Sequence, residues 1–318
     1  MSYDPELGAP YRTETINLGQ DAEGPLVATL IQRPAQPHTA QPGKAVLYLH
    51  GFSDYFFQRQ LGDWWAERGY SFYALELRKY GRSIRPGQTP NYTQNLADYY
   101  QDLDAAWQLI SQRDGHQQII FLAHSTGGLI ASLWVNSRQP VQLQALILNS
   151  PWLDHFDHPL ERALTTAAVK QLARLKPRAI VQKARPDGYT SALHRNHGGL
   201  WDFNLTWKPL ETPDIYAGWL AAIRRGHQEL QAGLNIRVPI LLLTSARSGK
   251  LKNPGDRHDF DAILSVQGIR RYALGLGPDV HSRVIEGAVH DVFLSAEAAR
   301  KQAYQALADF MNQLEEKY

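Results

Sequence analysis

Gln118-Ile119-Ile120-Phe121-Leu122-Ala123-His124-Ser125-Thr126-Gly127-Gly128 is the stretch on which the fold turns. Residues 118–122 read as a strand, apolar from Ile119 on, and residues 127–137 carry a helical pattern, so Ser125 sits where a strand passes directly into a helix. A serine hydroxyl is a weak nucleophile until it is positioned and a neighbouring base removes its proton. A sharp strand-to-helix turn does the positioning: it lifts the side chain to the carboxyl edge of a sheet, while the helix N-terminus aims backbone N–H groups at developing negative charge. Strand and helix then approach so closely that the residues two before and two after the serine must be small. Here they are Ala123 and Gly127. The same letters also fit a plain helix cap followed by glycines, so the motif counts only in its strand–turn–helix setting.

Outward from this turn the alternation repeats. Upstream, residues 44–49 read as a buried parallel strand ending at His50-Gly51, residues 58–68 as a helix closed by Gly69, and residues 71–77 as a strand. Leu96, Tyr99, Tyr100, Leu103, Trp107 and Ile110 recur at helical spacing. Downstream lies a strand over 143–148. Two further strands, 14–18 and 26–32, precede a Pro-rich link over 33–43. The alternation lapses from about Trp152 to Gly226, then resumes with strands over 238–243 and 282–285, a helical stretch near 268–273 between them, and a last helix. Ser295 is the expected N-cap of that helix, whose Ala299, Ala303, Leu307, Phe310 and Leu314 share one face. The pattern predicts an α/β protein with a mostly parallel central sheet flanked by helices. Residues 1–151 and 227–318 form its two core portions, and residues 152–226 an inserted, mainly helical cap.

Composition excludes other classes. A hydrophobic share of 43% and a charged share of 20% over 318 residues suit a globular chain. The longest apolar runs are too short to span a bilayer, and the first residues carry neither a basic nor an apolar signal region, so a cytoplasmic protein without stable membrane insertion is expected. With no cysteine there is no disulfide, thiolate metal site or Cys nucleophile. A net charge of +2, with Lys250-Leu251-Lys252 and Arg224-Arg225 read as short solvated charge pairs, offers nothing for nucleic acid. His155 with His158, and His194 with His197, have spacings a metal site uses, but no third ligand clusters with them. No metal and no cofactor are expected.

Two further motifs complete a chemistry around Ser125. His50-Gly51-Phe52-Ser53-Asp54 directly follows a strand, and acyl transfer needs backbone amides aimed where an oxyanion forms; the amides of Phe52 and Thr126 are the expected pair. Glu286-Gly287-Ala288-Val289-His290-Asp291 lies past the last strand, and among 12 histidines His290 alone stands between the final strand and the final helix. A histidine is the usual base for a serine hydroxyl.

Tyr48-Leu49-His50-Gly51-Phe52, Glu76-Leu77-Arg78-Lys79-Tyr80-Gly81-Arg82-Ser83, Ala123-His124-Ser125-Thr126-Gly127-Gly128 and 286–291 occur in one order, and together the chain resembles the α/β-hydrolase superfamily. Within it the chain is most similar to the monoglyceride lipase, lysophospholipase and serine aminopeptidase group. The resemblance runs from Lys44 to the last helix and is weakest in the cap; Ala123 stands where that group usually has glycine. It implies an orienting acid shortly after the strand near 240–243, where this chain reads Thr244-Ser245-Ala246-Arg247-Ser248 without a carboxylate. The candidates come later. Asp261 is favoured because Asp261-Ala262-Ile263-Leu264-Ser265 resembles the acid motif leading into the next helix, with the residues between as a loop insertion; Asp259 and Asp256 are the alternatives.

The expected activity is hydrolysis of a small carboxylic ester through an acyl-enzyme on Ser125, with His290 as base and Asp261 as its orienting acid. Trp152, Phe156 and Trp219 are expected to contact substrate, drawn from an aromatic set that also includes Tyr189, Trp201, Phe203, Trp207 and Tyr216 and that serves equally well as the cap's own core. Two other functions compete. A proline-type aminopeptidase would need Glu161, Glu211 or Asp214 to hold a free amino group, and a non-catalytic binding protein would have no use for an intact triad.

Overall fold

The computed structural model describes residues 2–154, 159–253 and 255–317. Apolar runs at the centre of the chain form strands buried on both faces: β4 (Lys44–Leu49), β5 (Ser71–Glu76), β6 (Gln118–His124), β7 (Leu143–Asn149) and β12 (Ile240–Ser245). Three strands precede them, β1 (Ser2–Tyr3), β2 (Arg12–Asp21) and β3 (Gly24–Arg33), and β13 (Val280–Ile285) follows. They make a nine-stranded sheet in the order β1-β2-β3-β5-β4-β6-β7-β12-β13. Pairings from β5 through β13 are parallel, and those among β1, β2, β3 and β5 are antiparallel.

Because side chains alternate across a strand, each central strand feeds two cores. Leu47, Leu49, Phe121, Ala123, Leu146, Leu148 and Leu242 point to one face and Val46, Tyr48, Ile120, Leu122, Ile147, Leu241 and Leu243 to the other. Helices α1 (Arg59–Glu67) and α8 (Glu297–Lys317) cover the second face through Leu61, Trp65, Ala303, Leu307 and Phe310. Helices α2 (Tyr100–Gln108), α3 (Thr126–Arg138), α6 (Ala217–Gln231) and α7 (Val266–Ala273) cover the first through Leu103, Leu133, Ile223 and Ile269. A leucine buried this way contributes ~1.5–3 kcal/mol, so burial on both faces holds these strands at the centre of the sheet. Ligands of such sheets bind outside the carboxyl ends of the strands, and here those ends lead to residues 50–54, 125, 150–154, 246–261 and 286–290.

Between β7 and β12 the described residues add no strand to the large sheet. They form α4 (Pro159–Leu175), the short strands β8 (Ile180–Gln182) and β9 (Arg185–Pro186), α5 (Gly188–Leu193), β10 (Glu211–Thr212), β11 (Ile215–Tyr216) and α6. β8 pairs with β11 and β9 with β10, both antiparallel. The boundary expected after Gly226 falls inside α6, which runs unbroken to Gln231 while Trp219, Ala222, Ile223 and Leu230 join the main core. Ser295 is not a cap: α8 begins at Glu297, and the buried Ser295 hydroxyl instead accepts the N–H of Val289 at 3.0 Å. Among the described residues, no helix is long and apolar enough to cross a membrane.

Candidate active site

Ser125 joins β6 to α3 with φ 52° and ψ −119°, a conformation a non-glycine residue adopts at a cost of ~1–3 kcal/mol and only when its surroundings enforce it. The enforcement is visible. The Ser125 N–H donates to Asn149 O at 3.1 Å, and its carbonyl accepts the amides of Gly128 at 2.9 Å and Trp152 at 2.8 Å. A Cβ at residue 127 would lie 2.3 Å from His50 O, and one at 128 would lie 2.5 Å from the Pro151 Cβ. Glycine at 127 is therefore required by the neighbouring chain, and fully buried Ala123 meets the same demand on the strand side.

The loop after β13 brings His290 to the serine. Its Nε2 lies 2.9 Å from Ser125 Oγ and its Nδ1 lies 2.9 Å from Asp261 Oδ2. An ionised carboxylate only accepts, so Nδ1 carries the proton and Nε2 is left to accept from the serine hydroxyl. Asp261 is fully buried, and its Oδ1 accepts the amides of Ile263 and Leu264, each at 2.8 Å. Burial alone would raise its pKa; His290 and the two amides outweigh burial and hold the carboxyl below its ordinary range. Such an arrangement can take the Ser125 proton and stabilise the imidazolium that results.

The late position of Asp261 in the sequence has a geometric cause. Ser248 and Asp261 form a bridge, with Asp261 N–H donating to Arg247 O at 2.9 Å and Gly249 N–H to Asp261 O at 3.0 Å. Residues 247–249 and 261 thus meet, setting Asp261 beside the end of β12. Asp259 is exposed and pairs with Arg247, and Asp256 bonds Asn253; neither reaches His290.

β4 and β6 are paired in register, Leu49 opposite Ala123, so the residues following each strand emerge together. A Cβ at Gly51 would lie 3.1 Å from the Ser125 Cβ, which puts the Phe52 backbone beside the serine. Thr126 is the first residue of α3, where an amide lacks an intrahelical partner. Among the described residues, no backbone acceptor takes the Phe52 N–H. His50 braces this loop. Its Nε2 accepts the Leu77 N–H at 3.1 Å, so its Nδ1 carries the proton and donates to Gly51 O at 2.7 Å. Burial lowers the His50 pKa to about 4 and keeps the ring neutral.

Several groups escaped sequence reasoning. Asn149 donates to Asp291 Oδ1 at 2.6 Å and accepts Val292 N–H at 3.1 Å, so one side chain ties the serine turn to the residues after His290. The Tyr189 hydroxyl accepts Asp291 N–H at 2.9 Å. Lys208 forms a buried ion pair with Asp54 at 2.9 Å. Each joins positions far apart in sequence and leaves no local pattern.

A cleft of about 1240 Å³ opens over Ser125 and His290. Trp152 and Trp219 line it, their rings 6.0 Å apart, with the Phe52 ring 4.5 Å from Trp219; Phe156 lies outside the described residues. The remaining aromatics divide. Tyr189 lines the cleft and also belongs to a cluster with Tyr55, Phe57, Phe203 and Leu294, against which Trp201 and Trp207 pack; Tyr216 meets Tyr92. Arg224 corrects an expectation: it is buried in the cleft wall rather than solvated, and Lys250 and Lys252 line the mouth. His194 is engaged at both ring nitrogens, by Phe203 O and Asn196 N–H, while His155 and His158 are outside the described residues. No group of three potential metal ligands occurs among the described residues.

The sequence profile of the family described as serine aminopeptidase, S33 (Hydrolase_4) matches residues 40–297. The chain belongs to this hydrolase family. Its members share the α/β-hydrolase fold described above. A phospholipase, YtpA, of Bacillus subtilis (strain 168) is 27% identical over 114 residues, which are 36% of this chain and 42% of that protein. The chain thus matches less than half the length of that relative. Two lipase structures are similar over nearly their whole length. A soluble variant of monoglyceride lipase from Saccharomyces cerevisiae, in complex with a substrate analogue, aligns at TM-score 0.72 with 16% identity over 99% of both chains. A monoacylglycerol lipase from Paleococcus ferrophilus aligns at 0.62 with 19% identity over 90% of this chain and 98% of that one. At these identities the two structures speak for the fold.

Proposed function

We propose that this family member hydrolyses a small carboxylic ester through an acyl-enzyme on Ser125. The carrying observation is the continuous chain Ser125 Oγ–His290–Asp261, 2.9 Å at each step, facing a cleft. Ser125 Oγ attacks the ester carbonyl as His290 Nε2 takes its proton. The tetrahedral oxyanion receives hydrogen bonds from the amides of Phe52 and Thr126. As the intermediate collapses, His290 returns the proton to the departing alkoxide and an alcohol leaves. Water then gives its proton to His290, attacks the acyl carbon, and regenerates Ser125 with release of the acid. Asp261 keeps Nδ1 protonated throughout.

The cleft favours an ester over a peptide with a free amino terminus. Phe52, Trp152, Trp219 and Leu220 offer an apolar wall to an acyl group. The described carboxylates along the cleft, apart from the triad, are committed: Asp54 to Lys208, and Asp187 to Thr190 and the amide of Tyr189. Asp214 accepts the Ala184 amide, neither it nor Glu211 lines the cleft, and the Glu161 side chain lies outside the described ones. The lipases of this fold, one solved with a substrate analogue, support the same assignment. Steady-state hydrolysis of p-nitrophenyl esters against amino-acid p-nitroanilides tests it. Ester turnover lost in Ser125→Ala is expected; turnover of the anilides alone would replace this function with the peptidase one.

A further inference from the structure

The loop that carries Phe52 is held in an unfavourable shape. Ser53, between Phe52 and Asp54, has φ 50°, a left-handed value that costs a non-glycine residue energy and needs outside support. His50 pins the start of the loop from the core side. The far side is pinned by the segment between β7 and β12. Lys208 Nζ donates to Asp54 Oδ1 at 2.9 Å, with side-chain exposures of 7% and 3%. The Asn204 N–H donates to the Tyr55 hydroxyl at 2.6 Å, and the amides of Trp207 and Lys208 close a turn on Asn204 O at 3.1 and 2.9 Å. The Trp207 ring stands edge-on to Tyr55 at 5.3 Å. Burial opposes ionisation of Asp54, but Lys208, together with His124 and His50 nearby, outweighs it and keeps the carboxyl below its usual range. Both residues line the cleft that holds Ser125.

We infer that Lys208 is a positioning residue for the proposed ester hydrolysis: by clamping Asp54 from the cap side, it holds the strained turn at Ser53 and so aims the Phe52 amide at the oxyanion. The inference rests on Phe52 serving as an oxyanion donor. A single buried ion pair fits this task because its bond is directional, and neither partner survives in the interior uncompensated. The inserted segment then completes the catalytic loop as well as walling the cleft.

The test uses the full chain and a soluble p-nitrophenyl ester, with Lys208→Met, Lys208→Arg and the neutral double variant Asp54→Asn/Lys208→Met. The double variant buries no unpaired charge and is expected to melt close to wild type. Misaiming one donor should cost less than the ~10²–10³-fold in kcat that removing one costs. The double variant should therefore lose about 10- to 100-fold in kcat with KM within about 2-fold, and its affinity for an alkyl boronic acid, a tetrahedral mimic, should fall by the same factor. Lys208→Arg should retain most of the wild-type kcat, and Lys208→Met should not. Wild-type kcat in Lys208→Met or the double variant overturns the inference, and a loss confined to KM would make Lys208 a substrate contact instead. If the double variant fails to fold, the kcat contrast between Lys208→Arg and Lys208→Met decides. Absence of ester turnover in the wild type would sink the proposed function itself, a result distinct from any of these.

Discussion

Asp261→Asn should nearly silence the enzyme without unfolding it, and the structure says why. One carboxylate oxygen, Oδ1, already accepts two backbone amides, from Ile263 and Leu264. An asparagine must keep its carbonyl oxygen there, because an NH₂ group facing two N–H donors leaves all three unsatisfied. Its NH₂ then points at His290 Nδ1, where Oδ2 stood at 2.9 Å. Nδ1 becomes the acceptor, the proton moves to Nε2, and the nitrogen facing Ser125 can no longer take its proton. The same tautomer error in a serine protease triad costs about 10⁴ in kcat, or roughly 5.4 kcal/mol at 1.36 kcal/mol per tenfold. The expected outcome is therefore a loss of about four orders of magnitude in kcat on a p-nitrophenyl ester, with KM changed by less than about 3-fold. Asp259→Asn is the control: its pairing with Arg247 is exposed and worth ~0–1 kcal/mol, so activity should be retained. A loss below tenfold in Asp261→Asn, or a large loss in Asp259→Asn, would refute the assignment of the acid.

Three other perturbations follow from the same geometry. His50 is buried and neutral with a pKa of about 4, against ~6.5 in the unfolded chain, so the unfolded state binds more protons between those values. Its stabilising contribution is complete above about pH 6.5 and is lost as pH falls toward 4, up to ~3 kcal/mol by linkage; His50→Asn should flatten the fall of Tm across this window, and an unchanged slope would contradict it. Gly127→Ala places a Cβ 2.3 Å from His50 O and should destabilise by ~1–3 kcal/mol or more, read in urea unfolding; wild-type stability would show that the backbones separate freely. Trp152→Ala removes part of the apolar wall and should raise KM for long acyl chains about 10-fold, or ~1.4 kcal/mol, while sparing acetate esters; an equal effect on both would place the acyl group elsewhere.

Legibility in the sequence followed locality. Ser125 could be found because its turn imposes small residues within two positions, and Gly127 records the close passage of His50 in the letters themselves. The sheet could be found because strands buried on both faces need unbroken apolar runs. Asp261 was within reach but displaced, since a loop that returns to its starting point leaves no mark of its closure. Asp54 with Lys208, and Asn149 with Asp291, were illegible for a different reason: each pair spans more than a hundred residues, and buried polar partners carry no periodicity. Arg224 misled because a charge pair on a helix ordinarily faces water, whereas α6 is buried around most of its circumference. Ser295 misled because a helix-start residue can spend its hydroxyl on another chain segment, here Val289.

The central claim is that Ser125 is the nucleophile driven by His290. Treating the folded protein with a fluorophosphonate and mapping the adduct by peptide mass spectrometry tests it most directly. One equivalent on Ser125, lost in both Ser125→Ala and His290→Ala, is the predicted result; a label on any other residue, or full labelling of folded Ser125→Ala, would contradict it.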